Sequence, residues 1–155
     1  RARELAEAEG LGGVITANVN GEPSAFYIAP DANLNEWKDG EDGGIAVMLV
    51  GSPVKGDLVW KGSIELNFEV ADVGGPSPVS NSQLIFRSMG STDFHRTTSP
   101  DIFVGYSSMN EDRLTVSGSF SGTATYRSFG DVALEGYPET IIIDDGAFYA
   151  DIPKE

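Results

Sequence analysis

Acidic and amide residues between positions 31 and 42 have the types and spacing that could bind a calcium ion. Calcium takes about six to eight oxygen ligands, and side chains at alternate positions of one loop can converge on it. The residues that match this chemistry are Asp31, Asn33, Asn35, Asp39 and Asp42. The sixth position of this loop is Glu36 rather than the glycine of an EF-hand, and no helices flank it. The alternative is a solvated acidic loop in a protein that is acidic throughout.

The single histidine, His95, limits the catalytic chemistry that the sequence supports. Asp93 lies just before it, and Ser107 or Ser108 would have to be the nucleophile of a Ser-His-Asp triad. The Gly-x-Ser-x-Gly turn that presents such a nucleophile is absent. Catalytic zinc normally has several histidine or cysteine ligands, and the chain contains no cysteine. We therefore expect no enzyme of either kind.

Paired carboxylates and exposed aromatic rings would be the chemistry of a protein that acts on carbohydrates. Glu65 and Glu69 fall on one face of a predicted strand, about 13 Å apart, which exceeds the usual separation in glycosidases. We expect them to be solubilising charges. The aromatic residues that could stack on a sugar are Trp37, Trp60, Tyr106, Tyr137 and Tyr149. The alternative for each ring is a place in the hydrophobic core.

The composition of the chain limits the classes of molecule that the protein is expected to bind. The chain has 155 residues, which favours one domain, and its 10 basic and 24 acidic residues give a net charge of −14. This balance argues against nucleic acid and anionic lipid as partners, since both are bound through clustered lysine and arginine. No apolar stretch approaches the roughly 20 residues that cross a bilayer, so we expect no direct membrane insertion. The absence of cysteine excludes disulfides.

Alternation of apolar and polar residues dominates the chain and predicts β-strands. The longest alternation covers 113–127, with a bend or bulge expected at Gly118 or Gly122. The Asn20-Gly21 pair between two such runs is typical of a hairpin, and Asp144-Asp145-Gly146 is predicted to be a second turn. Together the runs predict an antiparallel all-β sandwich or barrel of about nine to ten strands.

The first residues differ from the rest of the chain. Residues 1–10 are rich in helix formers, and Gly10 is a suitable C-terminal stop. We predict that 1–12 form a short helix, an arm or a spacer, and that 13–155 form a single all-β domain. Within that domain, 30–44 and 90–100 are predicted to be polar loops.

Three segments together resemble a known group of proteins. They are ITANVNGEPSAF at 15–26, LTVSGSFSGTA at 114–124 and IIIDDGAF at 141–148. This pattern is similar to secreted, envelope-associated lipoproteins of Bacteroidetes type, whose function is unknown. The resemblance implies a calycin-like β domain, with residues 1–10 as the spacer to a lipidated cysteine that would precede Arg1. It implies no catalytic residues. The sequence departs from the group at Pro23-Ser24, where a tryptophan is common.

The sequence therefore predicts a non-enzymatic extracellular or cell-surface β module. Its expected partner is a protein, a small apolar molecule or a carbohydrate, and calcium is the expected stabilising ion. The main alternative is a structural assembly subunit, either a virion decoration protein or an extracellular filament protomer that self-assembles by strand addition. A further alternative is a carbohydrate-active enzyme with paired carboxylates. The expected location is extracellular or in the cell envelope after export, or the virion surface for the assembly subunit.

Overall fold

The protein folds as one antiparallel β-sheet with a short helix at its N-terminal end. The computed structural model describes residues 2–29, 35–41, 43–55, 62–87, 93–127 and 138–155. Within them, helix α1 spans Ala2–Glu9. The strands are β1 Gly13–Val19, β2 Glu22–Ile28, β3 Glu36–Asp39, β4 Ile45–Gly51, β5 Ile64–Val70, β6 Val79–Arg87, β7 Phe94–Thr97, β8 Asp101–Asn110, β9 Arg113–Arg127 and β10 Thr140–Pro153. The predicted all-β antiparallel class, its strand number and the short N-terminal helix are confirmed.

Helix α1 packs on the outer face of the sheet. Its Ala2 and Ala6 are buried against Val14 of β1 and Tyr149 of β10. Gly10 follows the helix with φ of 66°, a left-handed conformation that suits glycine at a helix end. The two small side chains let the helix approach the sheet closely. No helix in the described ranges is long and apolar enough to cross a membrane.

The strand order brings the two ends of the sheet close together. The order is β2-β1-β10-β9-β7-β6-β5-β4-β3, and β8 also pairs with β9. The sheet is not closed. However, Tyr27 of β2 forms an isolated bridge with Ser52 just after β4, and Trp37 of β3 forms one with Lys154 just after β10. The inward-facing residues of both halves belong to one hydrophobic cluster, so the curled sheet has a single main core.

Strand β9 is the longest strand, and it confirms the alternation predicted for 113–127. Its pairing with β8 shifts register between Val104 and Tyr106, opposite Gly118. The register shift therefore lies next to Gly118, but the extra residue is in β8 and not in β9, where the bulge was predicted. The extra residue in β8 is Gly105, and strand-interior glycine often marks a bulge.

The Asp144-Asp145-Gly146 segment was expected to be a hairpin turn, and this prediction is wrong. The segment lies inside β10, where the pairing with β9 shifts register between Ile143 and Gly146. Asp145 has φ of 53°, a conformation that serves a β-bulge as readily as a turn. Strands β1 and β9 pair with β10 on both sides of this point, so the chain continues across the bulge.

Two segments predicted to be loops contain short strands. Strand β3 lies inside 30–44, and β7 lies inside 90–100. Each strand carries one buried ring, Trp37 in β3 and His95 in β7. The indole Nε1 of Trp37 donates a hydrogen bond to the carbonyl oxygen of Asp112 at 3.2 Å. Four residues are too few to show a period of two, which is why sequence patterning missed both strands.

Candidate functional site

The residues predicted to bind calcium are only partly within the described chain. Asp31, Asn33 and Asp42 lie outside the described residues. Asn35 is buried just before β3, where its side-chain amide forms two hydrogen bonds with the main chain of Val50, at 2.7 and 3.1 Å. Its oxygen accepts from the Val50 N–H, so this amide holds the edge of the sheet together.

Asp39 lies at the other end of β3, about 13 Å from Asn35 along the strand. Its carboxylate is exposed and lies 3.7 Å from Nζ of Lys154. The structure therefore does not bring Asn35 and Asp39 to one point. No group of three or more His, Cys, Asp or Glu side chains that could hold a metal ion occurs in the described ranges. The calcium site as a whole stays a prediction.

Asp39 also belongs to an acidic depression on the outer face of β3, β4, β5 and β6, with a volume of 710 Å³. Its polar lining is Glu36, Lys38, Asp39, Glu41, Asn67, Glu69 and Asn81. Several of these groups pair with a neighbour. Asn81 Nδ2 donates to the Glu69 carboxylate, and Lys38 Nζ lies 3.8 Å from a carboxylate oxygen of Glu155.

Glu65 and Glu69 were considered as a catalytic pair, and the structure gives each a different partner. Glu65 lies 2.9 Å from Nη2 of Arg87, and the side chains of this pair are only 8% and 24% exposed. Asn67 donates a further hydrogen bond to Glu65 at 2.6 Å. Glu69 lies two pleats along β5, about 13 Å away. The two carboxylates thus do not face a common substrate position.

His95 lies in a buried polar cluster with Asp93 and Tyr126. The Tyr126 hydroxyl donates to the Asp93 carboxylate, and Nε2 of His95 donates to the carbonyl oxygen of Pro138 at 2.8 Å. The rings of His95 and Tyr126 meet edge to face, with centroids 5.4 Å apart. His95 is fully buried and Asp93 nearly so, which withdraws this cluster from solvent.

The serines considered as nucleophiles are far from this cluster. Ser107 pairs with Val116 of β9, whereas His95 pairs with Tyr126 of the same strand. This places them about 33 Å apart along β9. Ser107 is buried and accepts a hydrogen bond from the Gly74 N–H. The structure therefore does not assemble the triad.

The five aromatic residues considered for sugar binding lie in different environments. Trp60 and Tyr137 lie outside the described residues. Trp37 is in the core. Tyr106 is 48% exposed on β8, and Tyr149 is 8% exposed under helix α1. These last two lie in one row of the sheet, because Ser117 of β9 pairs with both of them.

A second exposed ring, Phe103, lies on the same face as Tyr106. Residues three apart in a regular strand face opposite sides, but the extra residue Gly105 brings these two to one side. Phe103 pairs with Ser119, which in turn pairs with Ala147 of β10. Two adjacent rows therefore run across β8, β9 and β10, each with an exposed ring at its β8 end.

The two rows form a depression of 400 Å³ between β8 and helix α1. Its lining includes Arg3, Phe103, Ser117, Ser119 and Tyr149. Tyr106 is not part of this lining but lies beside it on the same face, in the row of Ser117 and Tyr149. We call the depression together with Tyr106 the aromatic trough. Phe103 forms the wall on the β8 side, with Tyr106 one row further along β8, and Arg3 and Tyr149 form the other wall. The two serines form the floor between them. Because β8 and β10 are two strand spacings apart, the walls are separated by about 9.5 Å at the backbone.

The polar groups of the aromatic trough differ in how far they are already engaged. Arg3 donates a hydrogen bond to Glu7 at 3.0 Å, and its guanidinium carbon lies 5.9 Å from the ring centroid of Tyr149. The bond to Glu7 is the main cause that raises the pKa of Arg3. Burial raises the pKa of Tyr149. Ser119 is exposed and Ser117 is half-buried, and both line the depression, so a ligand in the trough can reach their hydroxyls.

The shape of the trough depends on the close packing of Gly118 in β9, beneath the β8 bulge. A Cβ atom at this position would overlap the carbonyl oxygen of Phe103 and lie 2.8 Å from Cζ of Phe148. Any larger residue would displace the β8 bulge that presents the two rings. Phe103 was missed in the sequence because simple alternation assigns it to the face opposite Tyr106. The available signal was Gly105 inside an otherwise apolar run.

Comparisons of this chain with protein-family models, with curated proteins and with solved structures find no match. What the protein does has to be inferred from the chemistry of its own surface. Among the described residues, the aromatic trough is the place where exposed rings and accessible hydroxyls lie together.

Proposed function

We propose that the protein is a non-enzymatic β module that binds a small apolar molecule, a carbohydrate or a segment of another protein in the aromatic trough. The observation that carries the proposal is the exposure of Phe103 and Tyr106, 53% and 48%, on one face of β8. Covering apolar surface stabilises a complex by about 25 cal/mol per Å². Two half-exposed rings held on a paired strand therefore offer binding energy without a large ordering cost.

Strand addition, the basis of the assembly alternative, is less favoured because neighbours cover parts of the sheet edges. On β8, the carbonyl oxygen of Val104 accepts from Ser77, and the N–H of Ser107 donates to Gly74, at 3.2 and 2.8 Å. On β3, the carbonyl of Trp37 accepts from the main chain of Glu155 at 2.8 Å. These contacts occupy groups that an incoming strand would need.

Strand β2 is protected in a different way. Pro23 has no N–H to offer to another strand, and the neighbouring Glu22 adds an exposed charge to the same edge. Tyr27, near the end of the strand, exchanges two main-chain hydrogen bonds with Ser52. These edge features support a module that works as a separate unit.

The proposed location is extracellular or in the cell envelope. It is implied by the resemblance of the 15–26 and 114–124 segments to envelope lipoproteins. A surface with net charge −14 stays soluble and resists non-specific association. Calcium remains part of the proposal only as a stabilising ion for the 31–42 segment.

The test combines a solution mass with a fragment screen. Light scattering with and without calcium should give a monomer near 16.5 kDa. In ¹H–¹⁵N spectra, binding fragments should shift the amides of Phe103, Tyr106, Ser117 and Ser119 together. Ile142, an exposed residue of β10 outside the trough, is the matched control. The Ile142→Ala variant should still bind every fragment that the Tyr106→Ala variant no longer binds. Shifts confined to other surfaces, or large oligomers that Tyr106→Ala disperses, would contradict the proposal.

A further inference from the structure

We infer that the aromatic trough takes a neutral pyranose-based glycan; this rests on the trough being the ligand-binding face. The first argument is the spacing of the two exposed rings. Phe103 and Tyr106 occupy adjacent rows of the sheet, marked by Ser119 and Ser117, which are about 7 Å apart along β9. A pyranose presents a face of C–H groups that packs against an aromatic face. Two rings at this spacing can each contact a sugar unit of one chain.

The serine hydroxyls on the floor of the trough can form the hydrogen bonds that a sugar needs in addition to ring contacts. Each serine hydroxyl both donates and accepts, as sugar hydroxyls also do. Ser117 and Ser119 lie between walls whose backbones are about 9.5 Å apart, so a ligand packed against Tyr106 or Phe103 reaches them from above. Aromatic rings with small hydroxyls between them match the mixed surface of a sugar better than that of a purely apolar ligand.

The charge of the protein favours binding of a neutral glycan over binding of an acidic one. The protein carries a net charge of −14, which repels anions at long range. Arg3 is the only charged member of the trough, and its guanidinium already donates to Glu7. An acidic glycan would therefore have to compete with Glu7 for the one cation available there.

The main chain of the trough argues against an extended peptide as the ligand. Strand β9 is paired with β8 on one side and β10 on the other, and β10 is paired with β1 on its other side. A peptide lying in the trough would find no row of main-chain N–H and C=O groups to pair with. Recognition has to come from rings and hydroxyls, which is how carbohydrates are bound.

The test is calorimetric titration of the full chain with cellohexaose, laminarihexaose, maltohexaose and mannohexaose, with hexagalacturonate as the acidic counterpart. We expect at least one neutral oligosaccharide to bind and hexagalacturonate not to bind. Tyr106→Ala and Phe103→Ala should each weaken that binding by about fivefold to tenfold. Tyr106→Phe should retain it, because the stacking ring is kept, and Ile142→Ala should leave it unchanged. A ¹H–¹⁵N spectrum of each variant verifies that the fold is intact.

Three results would overturn the inference. Binding of hexagalacturonate alone would make Arg3 the determinant and a neutral glycan the wrong ligand class. Neutral binding that Tyr106→Ala and Phe103→Ala leave intact would put the glycan on another surface. Fragments that bind in the trough while no oligosaccharide binds anywhere would end the glycan inference and leave the proposed binding face standing. If neither fragments nor glycans reach the trough, the proposed function itself is wrong.

Discussion

The acidic depression and the aromatic trough, both on the described part of the outer surface, differ in size and in the chemistry of their lining. The acidic depression on β3 to β6 measures 710 Å³, and the aromatic trough on β8 to β10 measures 400 Å³. In the acidic depression, Glu69 accepts from Asn81, and Asp39 pairs with Lys154. In the trough, the rings of Phe103 and Tyr106 are half-exposed, and the hydroxyl-bearing Ser119 is exposed beside them. We therefore place the proposed ligand at the exposed rings rather than in the larger volume.

The difference extends to how charge stabilises each side. Next to the acidic depression, the Glu65–Arg87 pair is largely withdrawn from water, with side chains 8% and 24% exposed. Next to the trough, the Arg113–Asp151 pair is solvated, with side chains 51% and 44% exposed. Charges on the first side should therefore contribute to the fold, whereas those on the second should contribute little.

Replacing one arginine from each pair should give the largest contrast. Arg87→Met leaves the Glu65 carboxylate buried without its cation, and we expect a loss of about 3–5 kcal/mol in the free energy of unfolding. Arg113→Met at the exposed pair should cost at most about 1 kcal/mol. Urea denaturation of both variants measures the difference. Equal losses would show that the two sides use charge in the same way.

The shape of the trough should depend on Gly118. Gly118→Ala adds a methyl group against the Phe103 carbonyl and the Phe148 ring, and overpacking of this kind costs about 1–3 kcal/mol. Gly75→Ala is the matched control, because a Cβ at Gly75 meets nothing within 4 Å. We expect the control to leave the urea midpoint nearly unchanged. If both substitutions behave alike, the trough is not shaped by close packing beneath Phe103.

The Tyr149 wall of the trough should make stability sensitive to alkaline pH. Burial, then Asp151, raises the pKa of Tyr149 above its usual 10.0, and Arg3 opposes the rise. The folded state therefore keeps its proton while the unfolded state loses it. Stability is full below pH 10.0 and falls as pH rises through the elevated pKa. Denaturation midpoints at about pH 8 and about pH 11 should differ less for Tyr149→Phe than for the natural chain.

Two other groups near Tyr149 bear on that measurement. Glu7 and Tyr106 also raise its pKa, by smaller amounts than Asp151. Tyr149→Phe removes the titrating hydroxyl and leaves these neighbours in place. An alkaline loss of stability identical in both proteins would assign the effect to groups away from the trough.

The smallest effect is expected in the acidic depression. Glu41→Gln removes one exposed carboxylate from a surface that already carries several, and its effect should stay within about 0.5 kcal/mol. We expect a slight gain in melting temperature at low ionic strength. This gain should disappear in high salt, because salt screens repulsion between exposed charges. Melting temperatures at low and high salt measure it. A clear loss of stability would show that Glu41 has a structural partner.

Strands with a long period of two could be predicted from the sequence, and short strands could not. The alternation over 113–127 is one strand, and Asn20-Gly21 is a turn with φ of 49° and 83°. Strands β3 and β7 form because neighbours on both sides supply partners, and neither partner is visible locally. For Asp144-Asp145-Gly146 the residue types suit a turn and a bulge equally, and pairing with β1 and β9 selects the bulge.

The candidate site was predicted only in part for the same reason. Tyr106 and Tyr149 were recognised as possible platform residues from their type, and the structure places them in one row. Phe103 and the serine floor depend on the register of β8 against β9, which a single extra residue, Gly105, changes. In the calcium prediction, the two described candidates Asn35 and Asp39 have suitable side-chain types, but the extended backbone separates them by about 13 Å.

The mode of attachment of helix α1 has a mechanical consequence. The helix is held to the body of the protein by the side chains of Ala2, Leu5 and Ala6 and by the exposed Glu9–Lys55 ion pair, whereas the strands beneath it are joined by antiparallel hydrogen-bond ladders. A pulling force applied at Ala2 would therefore detach the helix well before it disturbed β1 or β10. Detachment would carry Arg3 away from Tyr149 and remove one wall of the trough. Tension on the N-terminal end would thus lower the affinity of the trough for a ligand while the β-domain stays folded.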